Sequence, residues 1–176
     1  MTFTVQGSGG TIIPPEPANT IISYENMTPS TFVNSAYVTD TAYVKDGTKA
    51  LKITLTNNDF GWSHGGTTCW GYRALNDTAI TGFKFWVYTP KAMSIRFDMS
   101  TGGAAGTTWT GRKFSKSNYA LVEGWNEVTV LQSDFDGLTF SDGIVQFFIQ
   151  VMTDATTVAN NDGTVIYVDG VVAITE

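Results

Sequence analysis

Ring-bearing and hydrogen-bonding side chains alternate with apolar ones in three segments of the sequence. The polar or aromatic members of the alternation are Lys84, Trp86 and Tyr88, then Arg96 and Asp98, then Gln146, Phe148 and Gln150. A pyranose ring stacks its C–H face on an aromatic ring, while amide and charged groups bind its hydroxyls. These residue types therefore favour a sugar-binding surface. The alternative is that Trp86, Tyr88 and Phe148 are covered by a loop or by a partner subunit.

The same alternation predicts which side of each strand faces a core, because successive side chains of a strand point to opposite faces. A turn at Pro90 and Lys91 is expected to join the first two segments as a hairpin. Their outward rows would then be neighbours, and all three rows would lie on one open sheet. The inward sets are Phe83, Phe85 and Val87; Ile95, Phe97 and Met99; Val145, Phe147, Ile149 and Val151; and, in a fourth segment, Leu51, Ile53 and Leu55.

A second group of aromatic residues lies in glycine-rich sequence between positions 60 and 73. Recognition is commonly carried by loops at the rim of a rigid scaffold, so this group is expected to extend the sugar site. The candidates are Trp62, His64, Trp70, Tyr72 and Arg73. The alternative for the tryptophans is that they cap the core. Trp125, which follows Gly124, is expected to seal one end of the core.

Three acidic residues are candidates for a structural calcium site. Glu25 lies on the first predicted strand, Asp46 precedes Gly47 in a turn, and Asp169 precedes Gly170 in the last predicted hairpin. Calcium prefers carboxylate and carbonyl oxygens, and the first and last strands of a sandwich often lie side by side. The alternative is that all three are ordinary turn and surface acids.

No motif of covalent catalysis is present, so we expect no catalytic residues. The sequence has one histidine, no nucleophile elbow, no phosphate-binding glycine motif and no metal-ligand spacing of His and Cys. Acidic residues are available, but a glycosidase needs two that oppose each other across a cleft.

The composition predicts a turn-rich all-β protein. Charged residues make up 15% of the chain, aromatic residues 13%, and there are 18 glycines. The net charge of -6 disfavours nucleic acid as a partner, and no apolar run is long enough to insert into a membrane. Cys69 is the only cysteine, which excludes an intrachain disulfide.

Short β-type runs separated by Gly, Asn, Asp and Pro predict a two-sheet antiparallel β-sandwich over residues 19–176. Residues 1–18, with a glycine-rich piece followed by a proline-rich one, are predicted to be a flexible arm or linker. The predicted strands are Thr20–Met27, Ala36–Val44, Lys49–Thr56, Thr68–Leu75, Ile80–Thr89, Ala92–Ser100, Thr107–Phe114, Trp125–Leu131, Ile144–Met152 and Thr164–Ile174.

A succession of segments resembles the jelly-roll, galactose-binding-like carbohydrate-binding modules. The segments are Tyr24-Glu25, 46–53, 82–88, 124–128 and 166–171, in the order of that family. The resemblance implies a jelly roll that binds a polysaccharide or cell-surface glycan without catalysis. It also implies a calcium ion near Glu25 and Asp169, and an extracellular module of a secreted multidomain enzyme.

One departure from the family raises a second hypothesis. The chain starts at a methionine with an arm-like segment and contains no catalytic domain. The alternative is therefore a phage virion decoration, tail or surface adhesion protein, located on the virion surface, whose outward aromatic residues serve protein contacts and assembly.

Overall fold

The computed structural model describes residues 20–22, 25, 35–57, 63–68, 80–101, 113–140, 144–151 and 161–175. These residues form twelve β-strands and a short 3-10 turn at Gln132–Asp134. The strands are β1 (Thr20–Ile22), β2 (Ser35–Val38), β3 (Ala50–Thr54), β4 (Thr56–Asn57), β5 (Ser63–Thr68), β6 (Ile80–Thr89), β7 (Met93–Thr101), β8 (Lys113–Phe114), β9 (Tyr119–Leu121), β10 (Gly124–Leu131), β11 (Ile144–Val151) and β12 (Val165–Thr175).

The strands form two antiparallel sheets. The first has the order β10-β6-β12-β3-β2, with β1 paired to β12, and the second has the order β4-β5-β11-β7-β8, with β9 paired to β7. The chain passes between the sheets at Leu55, which is fully buried, and again at Pro90 and Lys91. The predicted two-sheet antiparallel sandwich is confirmed.

The core lies between the inner faces of the two sheets and follows the predicted alternation. Phe83, Phe85 and Val87 are buried on the first sheet, and Ile95 and Phe97 are buried on the second. The rings of Phe85 and Phe97 meet edge to face across the sandwich, with centroids 5.3 Å apart. Burial of such side chains contributes roughly 1.5–3 kcal/mol each to stability, which is how this chain holds its fold without a disulfide.

Several strand boundaries differ from the predicted ones for local reasons. The second predicted strand ends at Val38 rather than Val44. Asp40 starts a turn there, because its carboxylate accepts the N–H of Ala42 at 3.0 Å and its carbonyl accepts the N–H of Tyr43 at 2.9 Å. Residues 63–66, predicted as part of a loop, belong to the strand Ser63–Thr68, which lies between β4 and β11.

Other predictions fall wholly or partly outside the described residues. They include the arm at 1–18 and most of the segments predicted as strands at 68–75 and 107–114. Among the described residues, no helix is long and apolar enough to cross a membrane.

Candidate binding site on the outer face of the first sheet

Three aromatic residues stand side by side on the outer face of the first sheet. The register places Trp125 of β10 opposite Tyr88 of β6, and Tyr88 opposite Tyr167 of β12. The ring centroids of Tyr88 lie 5.6 Å from Trp125 and 5.9 Å from Tyr167, both edge to face. Because adjacent strands are about 4.8 Å apart, the row spans about 10 Å. All three rings are half-buried, so each keeps part of its surface open to solvent.

A fourth ring reaches this row from the turn that follows β2. Residues 39–49, which we call the strap, cross the outer face of the sheet and present Tyr43 to it. Tyr43 stacks parallel on Tyr167, with centroids 4.0 Å apart, and meets Tyr88 edge to face at 5.1 Å. Burial, with the neighbouring Tyr43 and Asp40 adding to it, raises the pKa of Tyr167. Tyr43, Tyr88, Trp125 and Tyr167 form one continuous ring cluster.

Beside the ring cluster lies a depression of about 420 Å³ whose wall includes Trp86. The Lys45 amine of the strap lies over the indole, 4.4 Å from the ring centroid. The Lys84 amine, which also lines the depression, forms an ion pair with the Glu127 carboxylate. The depression therefore combines an aromatic wall with amine donors and carboxylate acceptors. Its polar lining is Lys45, Asp46, Lys84 and Glu127, and Gly170 also lines it.

One end of the strap is held by Glu25. Its carboxylate accepts the backbone N–H groups of Thr48 and Lys49, each at 2.7 Å, and the hydroxyl of Thr48 at 2.5 Å. Lys49 returns a bond from its amine to the Glu25 carbonyl at 2.9 Å. Burial tends to raise the pKa of Glu25, but these hydrogen bonds and the Lys49 charge outweigh it and hold the pKa below its ordinary value. Gly47, which precedes these residues in the strap, turns the chain with a φ of 68°.

The other anchor is Asp169, which is only 3% exposed. One carboxylate oxygen accepts the N–H groups of Lys45 at 2.7 Å and Asp46 at 2.8 Å. The other oxygen accepts the N–H of Gly170 at 2.8 Å. Burial raises the pKa of Asp169 to about 6, opposed by these three N–H groups and assisted by the nearby Asp46 carboxylate.

Asp169 reaches the strap because β12 bulges at this point. The register against β6 shifts between Asp169 and Val172, and Gly170 adopts a φ of 60°. A bulge with a left-handed glycine re-aims the neighbouring side chain. Asp169 lies in the middle of β12, which confirms the predicted strand Thr164–Ile174, whereas the prediction of a hairpin turn at Asp169 and Gly170 is wrong.

Two of the three acidic residues of the calcium prediction, Glu25 and Asp169, hold the strap, and the third, Asp46, belongs to it. Backbone N–H groups point at the carboxylates of Glu25 and Asp169, where calcium would require oxygen ligands. Among the described residues, no group of three or more His, Cys, Asp or Glu side chains is placed to hold a metal. A calcium ion at Glu25, Asp46 and Asp169 stays a prediction.

The structure divides the predicted sugar site between two sheets. Lys84, Trp86 and Tyr88 lie on the first sheet, whereas Arg96 and Asp98 lie on β7 of the second. The prediction that these rows share one open sheet is wrong, because the link at Pro90 and Lys91 passes between the sheets instead of closing a hairpin. Alternation tells the inside from the outside of a strand, but it does not tell which sheet the strand joins.

Within the second sheet, the predicted neighbours do come together along the backbone. The register places Gln150 opposite Arg96 and Phe148 opposite Asp98, and Gln146 opposite Ser100. Arg96 is half-buried. The side chains of the other predicted residues here lie outside the described part of the structure, as do Trp62, Trp70, Tyr72 and Arg73 altogether.

Three members of the ring cluster were not predicted as site residues. Tyr167 could have been found, because it alternates with the apolar Ile166 and Val168 as Tyr88 does with Val87. Tyr43 could not, because its position depends on the strap. Trp125 was expected to seal the core, and that prediction is wrong. Val128 and Val130 are the buried members of β10, so Trp125 has the parity of the outer face.

Comparison with known proteins finds likeness in structure and not in sequence. No protein-family model matches the chain, and no curated protein matches it. Among solved structures, it is similar to a family 11 carbohydrate-binding module from Clostridium thermocellum in complex with a beta-1,3-1,4-mixed-linked tetrasaccharide. The TM-score is 0.55 and the identity 13%, over 80% of this chain and 84% of that one.

Two further solved structures give the same result. A family 11 module studied in solution matches with a TM-score of 0.58 and 13% identity, over 89% of this chain and 94% of that one. A family 30 carbohydrate-binding module matches with a TM-score of 0.55 and 10% identity, over 85% of this chain and 96% of that one. The chain therefore has the two-sheet jelly-roll fold of these carbohydrate-binding modules.

Proposed function

We propose that this protein is a non-catalytic carbohydrate-binding module that binds a glycan on the outer face of its first sheet. The observation that carries the proposal is the ring cluster of Tyr43, Tyr88, Trp125 and Tyr167, in which every ring keeps part of its surface exposed. Soluble proteins seldom leave several adjacent aromatic rings half-exposed unless something binds there. Sugar rings stack on such surfaces through their C–H faces.

The polar groups around the ring cluster suit hydroxyl groups. The depression at Trp86 offers amine donors from Lys45 and Lys84 and carboxylate acceptors from Asp46 and Glu127. A site with a mainly aromatic floor and a few polar groups at its edge is the usual arrangement for a small ligand. Positive and negative groups are equal in number here, which favours hydroxyl binding over the binding of a strongly charged group.

The fold gives independent support. Several solved structures with this architecture are carbohydrate-binding modules, and one of them was solved with a mixed-linked tetrasaccharide bound. The likeness supports glycan binding as the class of function. The half-exposed rings of this chain support the location of the site.

Affinity gel electrophoresis tests both the function and its location. The protein is run through gels that contain one soluble polysaccharide each, mixed-linked β-glucan among them, and reducing ends are measured to detect cleavage. We expect retardation without new reducing ends. Tyr88→Ala should abolish the retardation, whereas Arg96→Ala, on the second sheet, should leave it intact. Loss of binding in the Arg96 variant alone would move the site to the other sheet.

A further inference from the structure

The strap lies on the outer face of the first sheet and makes no strand pairing with the described residues. It nevertheless supplies Tyr43 to the ring cluster and Lys45 to the depression. Its stacking and cation–π contacts are individually worth only about 0.5–1.5 kcal/mol. Contacts of this size would not by themselves fix a turn in one position on the sheet, since ordering each residue costs about 1–2 kcal/mol.

The firm attachments of the strap are its backbone N–H groups. Four of them, from Lys45, Asp46, Thr48 and Lys49, donate to the carboxylates of Glu25 and Asp169 at 2.7–2.8 Å. Hydrogen bonds to a charged group are about twice as strong as neutral ones. The two carboxylates flank Gly47, so they hold the strap on both sides of its tightest turn.

The turn at Gly47 and the bulge at Gly170 both lie close to neighbouring side chains. A Cβ at Gly47 would lie 2.5 Å from a carboxylate oxygen of Glu25, so any side chain there would have to displace that carboxylate from its hydrogen bonds. A Cβ at Gly170 would lie 3.5 Å from Trp86 and 3.7 Å from Asp46. The bulge in β12 therefore places Gly170 beside both the strap and the indole.

We infer that Glu25 and Asp169 are positioning residues of the glycan site: they do not contact the sugar, and they set Tyr43 and Lys45 on the sheet before the ligand arrives. The inference rests on the proposed function. A strap that is ordered in advance spares the ligand the cost of ordering it, which is the general advantage of a preorganised site. Without either carboxylate, Tyr43 and Lys45 would have to be immobilised when the glycan binds. We therefore expect removal of one carboxylate to lower the affinity on the order of tenfold.

The test compares variants that lose the clasp with variants that keep it. Glu25→Ala and Asp169→Ala remove acceptors for two strap N–H groups each. Glu25→Gln keeps them, because its amide oxygen can accept both N–H groups while its NH₂ group donates to the Thr48 hydroxyl. Asp134→Ala is the matched control: that carboxylate also accepts a backbone N–H, from Leu131, and a hydroxyl, from Tyr119, both at 2.7 Å.

Titration calorimetry with a polysaccharide that wild type binds, well below the melting temperature, gives the readout. We expect about tenfold weaker binding for Glu25→Ala and Asp169→Ala, and wild-type affinity within about threefold for Glu25→Gln and Asp134→Ala. In a double-mutant cycle, Asp169→Ala should cost less affinity in the Tyr43→Ala background than in wild type, since part of its effect acts through Tyr43. Hydrogen exchange should show faster exchange at the N–H groups of Lys45 and Asp46 in Asp169→Ala.

The outcomes separate the inference from the proposed function. Wild-type protein that binds no glycan overturns both. Wild-type binding that Tyr88→Ala abolishes, but that Glu25→Ala and Asp169→Ala leave unchanged, overturns the inference alone. An equal loss in Asp134→Ala also overturns it, because the effect would then belong to general stability.

Discussion

Replacing Trp86 with alanine separates the binding surface from the core that supports it. The indole lies on the outer face of β6, half-buried, while its neighbours Phe85 and Val87 are fully buried on the inner face. Its removal therefore leaves no cavity in the core. The stability lost is the cation–π contact with Lys45, about 0.5–1 kcal/mol, and the packing of a partly exposed ring.

The expected loss of affinity is larger than the expected loss of stability. An aromatic anchor of a binding site is worth about 1–3 kcal/mol on truncation, which corresponds to about 5- to 150-fold weaker binding. Titration calorimetry with a polysaccharide that retards wild type measures this, and thermal melting of the same sample measures stability. Trp86→Phe, which keeps a ring, should retain most of the affinity.

Tyr119→Ala is a suitable control for this experiment. Tyr119 is also half-buried, and it meets Phe97 edge to face with centroids 5.0 Å apart, but it belongs to β9, which pairs with the second sheet. The Tyr119→Ala variant should be less stable than wild type and should bind the glycan with unchanged affinity. Unchanged affinity in Trp86→Ala, or an equal loss in Tyr119→Ala, would exclude Trp86 from the site.

Three further predictions concern the fold. Gly47→Ala should lower the melting temperature more than Gly163→Ala does: both glycines have positive φ, worth about 1–2 kcal/mol, but only at Gly47 would the new Cβ meet another residue, Glu25, within 4 Å. Removal of calcium by EDTA should leave the melting temperature unchanged, because backbone N–H groups already donate to the carboxylates of Glu25 and Asp169. A melting temperature that drops with EDTA and recovers with added calcium would support the calcium prediction instead. Burial, with the bond to Asp134, raises the pKa of Tyr119. Above pH ~10 the unfolded chain therefore loses a proton that the folded chain keeps. Stability should fall as pH rises there, and less steeply in Tyr119→Phe; equal slopes in urea titrations would contradict the assignment.

The sequence predicts which face of each strand is buried better than it predicts which sheet each strand joins. The burial of Phe83, Phe85 and Val87 follows directly from the period of two, as does the half-exposure of Trp86 and Tyr88. Whether two successive strands form a hairpin or pass into different sheets depends on contacts far apart in the chain. This is why the row of Trp86 and the row of Arg96 were assigned to one surface although they lie on two.

The candidate site was only half predictable for a related reason. Trp86 and Tyr88 carry a local signal, but Tyr43 reaches them through the strap. The strap is held by carboxylates that lie 23 positions from Thr48 and 124 positions from Lys45 in the sequence. Asp169 is a clear case. A left-handed Gly170 in a strand bulge and a glycine in a hairpin turn look alike in sequence, and only the pairing of β12 with β6 distinguishes them.

The most direct measurement is to map a bound glycan on the protein by NMR chemical-shift perturbation, with an oligosaccharide of a polysaccharide that wild type binds. We expect the largest changes at Tyr43, Tyr88, Trp125 and Tyr167, on the outer face of the first sheet. Perturbations confined to β5, β7 and β11 would instead place the glycan on the second sheet and contradict the proposed site.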